Sequence, residues 1–324
     1  MVETLEQVEL CTPLNTSCMS TLVSPKVTLM ETLLYPVAVL TVILNLLVVI
    51  SISHFRQLHT TTNVFLLSLA VSDLLVGLAV MPAAVDKQSC WFLDKITCAL
   101  FLLLTFTLTS SSVGSMVLIS VDRYVAICAP LHYSSMISTN RAKICVSLCW
   151  ICSVIYNFII LKDHLSQIDV FNPCSQECTV FISYISGLVD FIVTFFGPVT
   201  VIIVLYMRVF VVAVSQARVM RSQIVAVKSR TLTVVVKTSE MRAARTLGIV
   251  LLVFIVCLCP YYGPFLAGED MTDDGSSTQS WLFSCNSTLN PLIYAFFYPW
   301  FRRAIKLIVS LQILQPGSCE VKIM

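Results

Sequence analysis

Long apolar runs separated by short polar stretches dominate the chain, and each run is near the length a helix needs to cross a bilayer, about 20 residues. Seven occur, at roughly 28–52, 62–86, 96–127, 142–162, 180–213, 244–267 and 277–297, and a shorter amphipathic segment follows from Pro299 to about Ile313. The alternating polarity of a membrane barrel is absent, so the spans are read as helices. The expected fold is an all-α membrane protein, a seven-transmembrane helix bundle with a short amphipathic eighth helix. Three regions result: an outer amino-terminal tail over 1–27, the bundle over 28–297, and the amphipathic helix with a cytoplasmic tail over 298–324.

Composition agrees, with 57% hydrophobic and 12% charged residues, which excludes a soluble globular domain. The net charge of +2 is too small to suggest nucleic acid. Orientation comes from the distribution of basic residues. Between Arg208 and Arg245 the chain carries Arg218, Arg221, Lys228, Arg230, Lys237 and Arg242 against the single acid Glu240, which places the span five–six loop in the cytosol against lipid headgroups and partners. The span six–seven loop has Glu269, Asp270, Asp273 and Asp274 and no base, as expected outside. Glu3, Glu6 and Glu9 are the wrong polarity for a cleavable signal, so the first span is expected to direct insertion with the amino terminus extracellular.

Polar residues inside the spans carry the chemistry. Asp190 is a lone carboxylate within the apolar stretch Ile182–Met207. An Asp at mid-span costs roughly 2.5–3.5 kcal/mol on insertion scales and marks a candidate functional position. It reads either as a counter-ion awaiting a cation or as an acid held by internal water or a polar neighbour. Asn45, Asp73, Ser112, Asn286, Ser287 and Asn290 come from spans one, two, three and seven and suggest one internal network. Oxygens gathered around Asp73 are the ligand set hard cations prefer, a sodium ion included; the alternative is a hydrated network around a protonated acid. No other cofactor, and no enzyme chemistry, is expected.

At the cytosolic end of span three stands Asp122-Arg123-Tyr124, with Glu240 near the start of span six. An Arg123–Glu240 pair would form a two-state element able to hold or release the helix ends, or else an ordinary surface ion pair. Gly197-Pro198 and Cys259-Pro260 are bend points. Outside lie Cys11, Cys18, Cys90, Cys98, Cys174 and Cys178, whose connectivity spacing leaves open. Asn15-Thr16-Ser17 is an accessible glycosylation sequon, and Cys319 is a candidate for palmitoylation.

The ordered set Asn45, Asp73, Asp122-Arg123-Tyr124, Trp150, Pro198, Pro260 and Asn290-Pro291-x-x-Tyr294, one element per span, resembles the rhodopsin-like G-protein-coupled receptors over essentially the full length. The stretch from Asn286-Ser287 through Tyr294 and Tyr298 to Trp300-Phe301 is similar to the fingerprint of the trace amine-associated receptors. Ser89-Cys90-Trp91 and Ala244-Arg245-Thr246-Leu247-Gly248 agree. The resemblance implies a plasma-membrane chemosensory, olfactory receptor for amines, coupled to a heterotrimeric G protein of the stimulatory or olfactory type. It also implies a Cys98–Cys178 disulfide, which leaves Cys174 for Cys18 or Cys11.

Three departures refine this. The position where amine receptors anchor the ammonium, eighteen residues before Arg123, is Thr105, whereas Asp190 falls eight residues before Pro198, where one olfactory branch places an alternative amine-binding Asp. Leu258 stands in place of the toggle tryptophan, and Ser284 replaces a tyrosine that bonds the span-three acid. The expectation is a receptor for a primary amine or short polyamine. Asp190 would take the ammonium, with Thr194, Thr105 and Thr109 lining the pocket and Phe106, Tyr261, Tyr262 and Phe265 as aromatic walls. Agonist would then open a cytosolic cleft lined by Tyr206 and Tyr294. A receptor for a peptide or lipid is the rival reading; a transporter would need an internal repeat, and none is visible.

Overall fold

The computed structural model describes residues 25–86, 95–162, 184–224, 248–249, 252–253, 255–257, 259, 262–263, 284–293, 298–321 and 323. Helix α1 runs Pro25–His54. Helix α2 runs Thr61–Leu75 and continues through a widened π-helical turn, Val76–Val80, into Met81–Asp86. Helix α3 is Lys95–Cys128 and α4 is Thr139–Ile160, with the short helix Pro130–Met136 between them. Helix α5 begins at Tyr184–Asp190, passes through a second π-helical turn at Phe191–Phe196, and continues as Gly197–Ile224, well beyond the expected end of its span. The sixth and seventh spans are described in part, as helical residues between 248 and 263 (α6) and over 284–293 (α7). Five described helices are long and apolar enough to cross a membrane, over Thr32–His54, Thr61–Ala83, Ile96–Cys128, Thr139–Ile160 and Tyr184–Val212.

Helix α3 is the axial element, packed against α2, α4 and α5. Its Val113, Met116 and Ile119 join Phe65, Leu66 and Leu69 of α2, Ile202 of α5, Tyr262 of α6 and Ile293 of α7 in one core. The outward faces carry exposed Ile and Leu, such as Ile144, Leu148, Ile151 and Ile155 on α4, as lipid-facing helices require. Lipid tails are as apolar as these side chains, so association leans on close packing and interhelical hydrogen bonds. Gly114 lets α4 approach until any β-carbon there would collide with Cys149 Sγ. The Trp150 indole donates to Ser68 Oγ (3.1 Å), which bonds Ser115 Oγ (2.9 Å), and Asn157 Nδ2 donates to Ser110 Oγ (2.9 Å). At the α1–α7 contact, Thr41 bonds Thr288 and Asn45 Nδ2 donates to the Ser287 carbonyl (3.0 Å).

Both widened turns lie just before a proline, Pro82 and Pro198. A proline ring clashes with the carbonyl four residues back and offers no N–H, so the turn must relax there. One residue added to a turn rotates the helix on one side of it by roughly 100° relative to the helix on the other. On α5 this sets which face turns inward: Asp190 and Thr194 are buried while Val189, Ile192, Val193 and Phe196 are exposed.

Helix α8 runs Pro299–Val309 and stops short of Ile313, because the chain turns through a left-handed Leu311 into a tight turn at Gln312–Leu314. The last residues fold back beneath α1, burying Ile323 with Phe55, Leu58 and Ala304. His54 Nε2 and Ser318 Oγ are 3.0 Å apart.

Candidate functional site

Asp190 is 5% exposed and holds three hydroxyl donors from three helices. Tyr156 of α4 and Thr194 of α5 donate to Oδ1 at 3.1 and 2.9 Å, and Tyr262 of α6 donates to Oδ2 at 3.0 Å. No cationic side chain pairs with it among the described residues. Hydroxyl donors lower the cost of burying a carboxylate without supplying a positive charge. The Tyr262 ring lies on Phe195 and edge-on to Phe191, with centroids 5.0 and 5.6 Å apart, which gives the cluster an aromatic wall.

Thr194 and Tyr262 are thus brought to Asp190. Thr105 and Thr109 are half-buried on α3, with hydroxyls turned back to their own helix, to the Phe101 and Thr105 carbonyls (2.8 Å each). Phe106 packs in a neighbouring cluster with Leu102, Leu161 and Cys98. Tyr261 and Phe265 lie outside the described residues. Tyr156 escaped sequence reasoning, although a signal was present: Ser153, Tyr156, Asn157 and Ile160 share helical spacing, and all four are wholly or partly buried while Val154, Ile155, Phe158 and Ile159 face outward.

A second buried acid, Asp73 (1% exposed), accepts Ser287 Oγ and Asn290 Nδ2 at 2.9 Å each, and Ser112, bonded to Ser72 (2.8 Å), faces the same carboxylate. The side-chain carbonyl oxygens of Asn45, Asn286 and Asn290 are buried without a donor among the described residues. The Asp73 carboxylate with the unsatisfied amide oxygen of Asn290, whose Nδ2 it holds, is oxygen chemistry of the kind a hard cation takes.

At the cytosolic end Arg123 is bound locally. Its guanidinium reaches Asp122 Oδ2 (3.0 Å from Nε) and Thr62, while Tyr133 of the short helix donates to Asp122 Oδ1 (2.8 Å). Burial, reinforced by the Asp122 carboxylate, holds the Tyr133 hydroxyl above its usual range, so it remains a donor. Burial pushes Tyr298 up to about 12, with Arg123 beside it acting in the other direction. The Tyr206 hydroxyl is buried without a partner among the described residues, and Tyr124 packs with Ile127 and Val209. Glu240 and Tyr294 lie outside the described residues, as do Cys18, Cys174, Cys178 and Asn15. Cys98 is disulfide-bonded. Cys319 is a free thiol in the turn Ser318–Glu320, beside the α1 end.

Residues 44–294 match the family model of the 7 transmembrane receptor (rhodopsin family). Trace amine-associated receptor 1 of Mus musculus is 35% identical over 87% of this chain and 89% of its own length. Trace amine-associated receptor 8c of Rattus norvegicus is 37% identical over 94% and 93%, and trace amine-associated receptor 13c of Danio rerio 35% over 87% and 86%. The chain belongs to the rhodopsin family of seven-transmembrane receptors and, within it, to the trace amine-associated receptors. It is accordingly a multi-pass G-protein-coupled receptor and not an enzyme; its partners are a small-molecule ligand and a G protein.

Tyr156→Phe deletes one charge-assisted hydrogen bond and keeps the ring. The expected result is a loss of about 1.5–3 kcal/mol, read as a lower melting temperature of the solubilised receptor. An unchanged melting curve would mean that the Tyr156–Asp190 contact contributes nothing.

Proposed function

We propose that this receptor is an olfactory, chemosensory receptor of the plasma membrane for primary amines or short polyamines, with Asp190 as the counter-ion for the ammonium. The observation that carries this reading is the buried carboxylate of α5, ringed by hydroxyls and without a cationic partner among the described residues, in a chain whose span-three anchor position is Thr105. Relatives named for trace amines support the ligand class. An ammonium reaching Asp190 makes a charge-assisted hydrogen bond, and the Phe191–Phe195–Tyr262 wall adds cation–π attraction of about 0.5–2 kcal/mol. Thr105, Phe106, Thr109, Tyr261 and Phe265 complete the pocket once an agonist is bound.

The output is through a stimulatory or olfactory G protein and a rise in cyclic AMP, after Arg123 leaves its local partners and the cleft near Tyr206, Tyr294 and Glu240 opens. The amino terminus is extracellular and glycosylated at Asn15. Cys98 pairs with Cys178 and Cys174 with Cys18 or Cys11, and Cys319 is palmitoylated where α8 meets the inner leaflet. A sodium ion held by Asp73 and amide oxygens stabilises the ligand-free form.

Truncating one partner of a buried charge pair costs about 3–5 kcal/mol. Asp190→Ala should therefore weaken amine potency by about two to three and a half decades at equal surface expression, measured as a cyclic AMP dose–response. Potency within tenfold of the unmodified receptor would reject the anchor, and a flat response in both would reject the coupling. For the cation, replacing potassium by sodium at constant ionic strength should raise the melting temperature of the ligand-free receptor, and Asp73→Asn should abolish the difference. Equal melting in the two salts would remove the sodium site.

A further inference from the structure

We infer that the hydrogen bond from Tyr262 to Asp190 is a latch between α5 and α6 that holds the ligand-free receptor closed, and that an ammonium opens it by taking the place of the phenol on Oδ2. Three observations meet here. First, the two carboxylate oxygens divide their donors by helix: Oδ1 is held by Tyr156 and Thr194, from α4 and α5, whereas Oδ2 accepts from α6 through Tyr262 at 3.0 Å. Second, Asp190 and Tyr262 are both 5% exposed, so the bond between them is shielded from water and strengthened accordingly. Third, Tyr262 follows the bend residue Pro260 by two positions, and at Leu258 this helix has no indole to act as a rotating switch. The hydroxyl at position 262 therefore ties a bendable helix to the charge an amine would seek.

The exchange needs no other group. Oδ1 already accepts two donors, so an ammonium, which offers only donors, must enter on Oδ2 beside the phenol, where it shares and weakens the acceptor that Tyr262 holds. Once displaced, the phenol has lost its charged acceptor, and α6 keeps only the apolar ring contacts of Tyr262 where it had a polar tie to α5. Tyr262 is then a positioning residue that acts through Asp190. Release by an amine rests on the proposed role of Asp190 as the ammonium's counter-ion, whereas the bond between Tyr262 and Asp190 does not.

A double-mutant cycle on the ligand-free receptor in nanodiscs tests the latch without any ligand or choice of G protein, by hydrogen exchange over residues 248–257. Tyr262→Phe keeps the ring on Phe191 and Phe195 and removes only the hydroxyl; it should speed exchange about tenfold or more, the worth of one hydrogen bond to a charged acceptor. On an Asp190→Ala background the same change should add less than about twofold, because its acceptor is gone. Where Asp190→Ala does not reach the membrane, Asp190→Asn serves as the background, and Tyr262→Phe should again add clearly less than it does alone. Unaltered exchange in Tyr262→Phe, or an effect of equal size with and without Asp190, overturns the latch. The ligand reading fails by a different result: if Asp190→Ala answers amines at unchanged potency, the amine does not act at this carboxylate, even where the cycle shows coupling.

Discussion

A carboxylate placed at membrane depth has to be compensated, and the arrangement of this receptor follows from that requirement met twice. Water would solvate the charge freely; lipid cannot, so neighbouring helices must bring donors to it. At Asp190 the donors are three hydroxyls from α4, α5 and α6, and at Asp73 they are a serine and an asparagine of α7. Each carboxylate thereby becomes a joint between helices that hydrophobic association alone would hold only loosely. The compensation at both sites is by neutral donors and brings no positive charge from the described residues.

The axial helix adds polar contacts of its own. Ser68 and Ser72 on α2 meet Ser115 and Ser112 on α3, the first pair tied to Trp150 of α4 and the second lying beside Asp73. These short hydroxyl side chains and Gly114 allow backbones to come close, and close packing is what drives helix association in a bilayer. The cytosolic end is organised differently. There Arg123 is held by its sequence neighbour Asp122 and by Thr62, and Tyr133 of the short helix Pro130–Met136 secures the other Asp122 oxygen.

Much of this was legible in the residues themselves. Span length and apolar content identify α1 to α5, and the resemblance carried by Asn45, Asp73, Asp122-Arg123-Tyr124 and Pro198 matches the family found by comparison. Asp190 stood out because a charge in hydrocarbon is conspicuous in a string of letters. Its partner Tyr156 did not, since a tyrosine in an apolar helix looks like any other aromatic until its face is known. The widened turns before Pro82 and Pro198 were equally hidden: a proline announces a bend, but not whether the helix absorbs it by kinking or by adding a residue to the turn. The end of α8 escaped too, because the left-handed Leu311 is a residue type with no preference for that conformation.

The central claim is that the charge on α5 receives the amine. A structure of the receptor with an activating primary amine bound tests it most directly. The account predicts the ammonium nitrogen within about 4 Å of an Asp190 carboxylate oxygen, the separation of an ion pair, with the Tyr262 hydroxyl no longer bonded to Oδ2. A nitrogen seated instead beside Thr105 on α3, with Asp190 still holding all three hydroxyls, would contradict it.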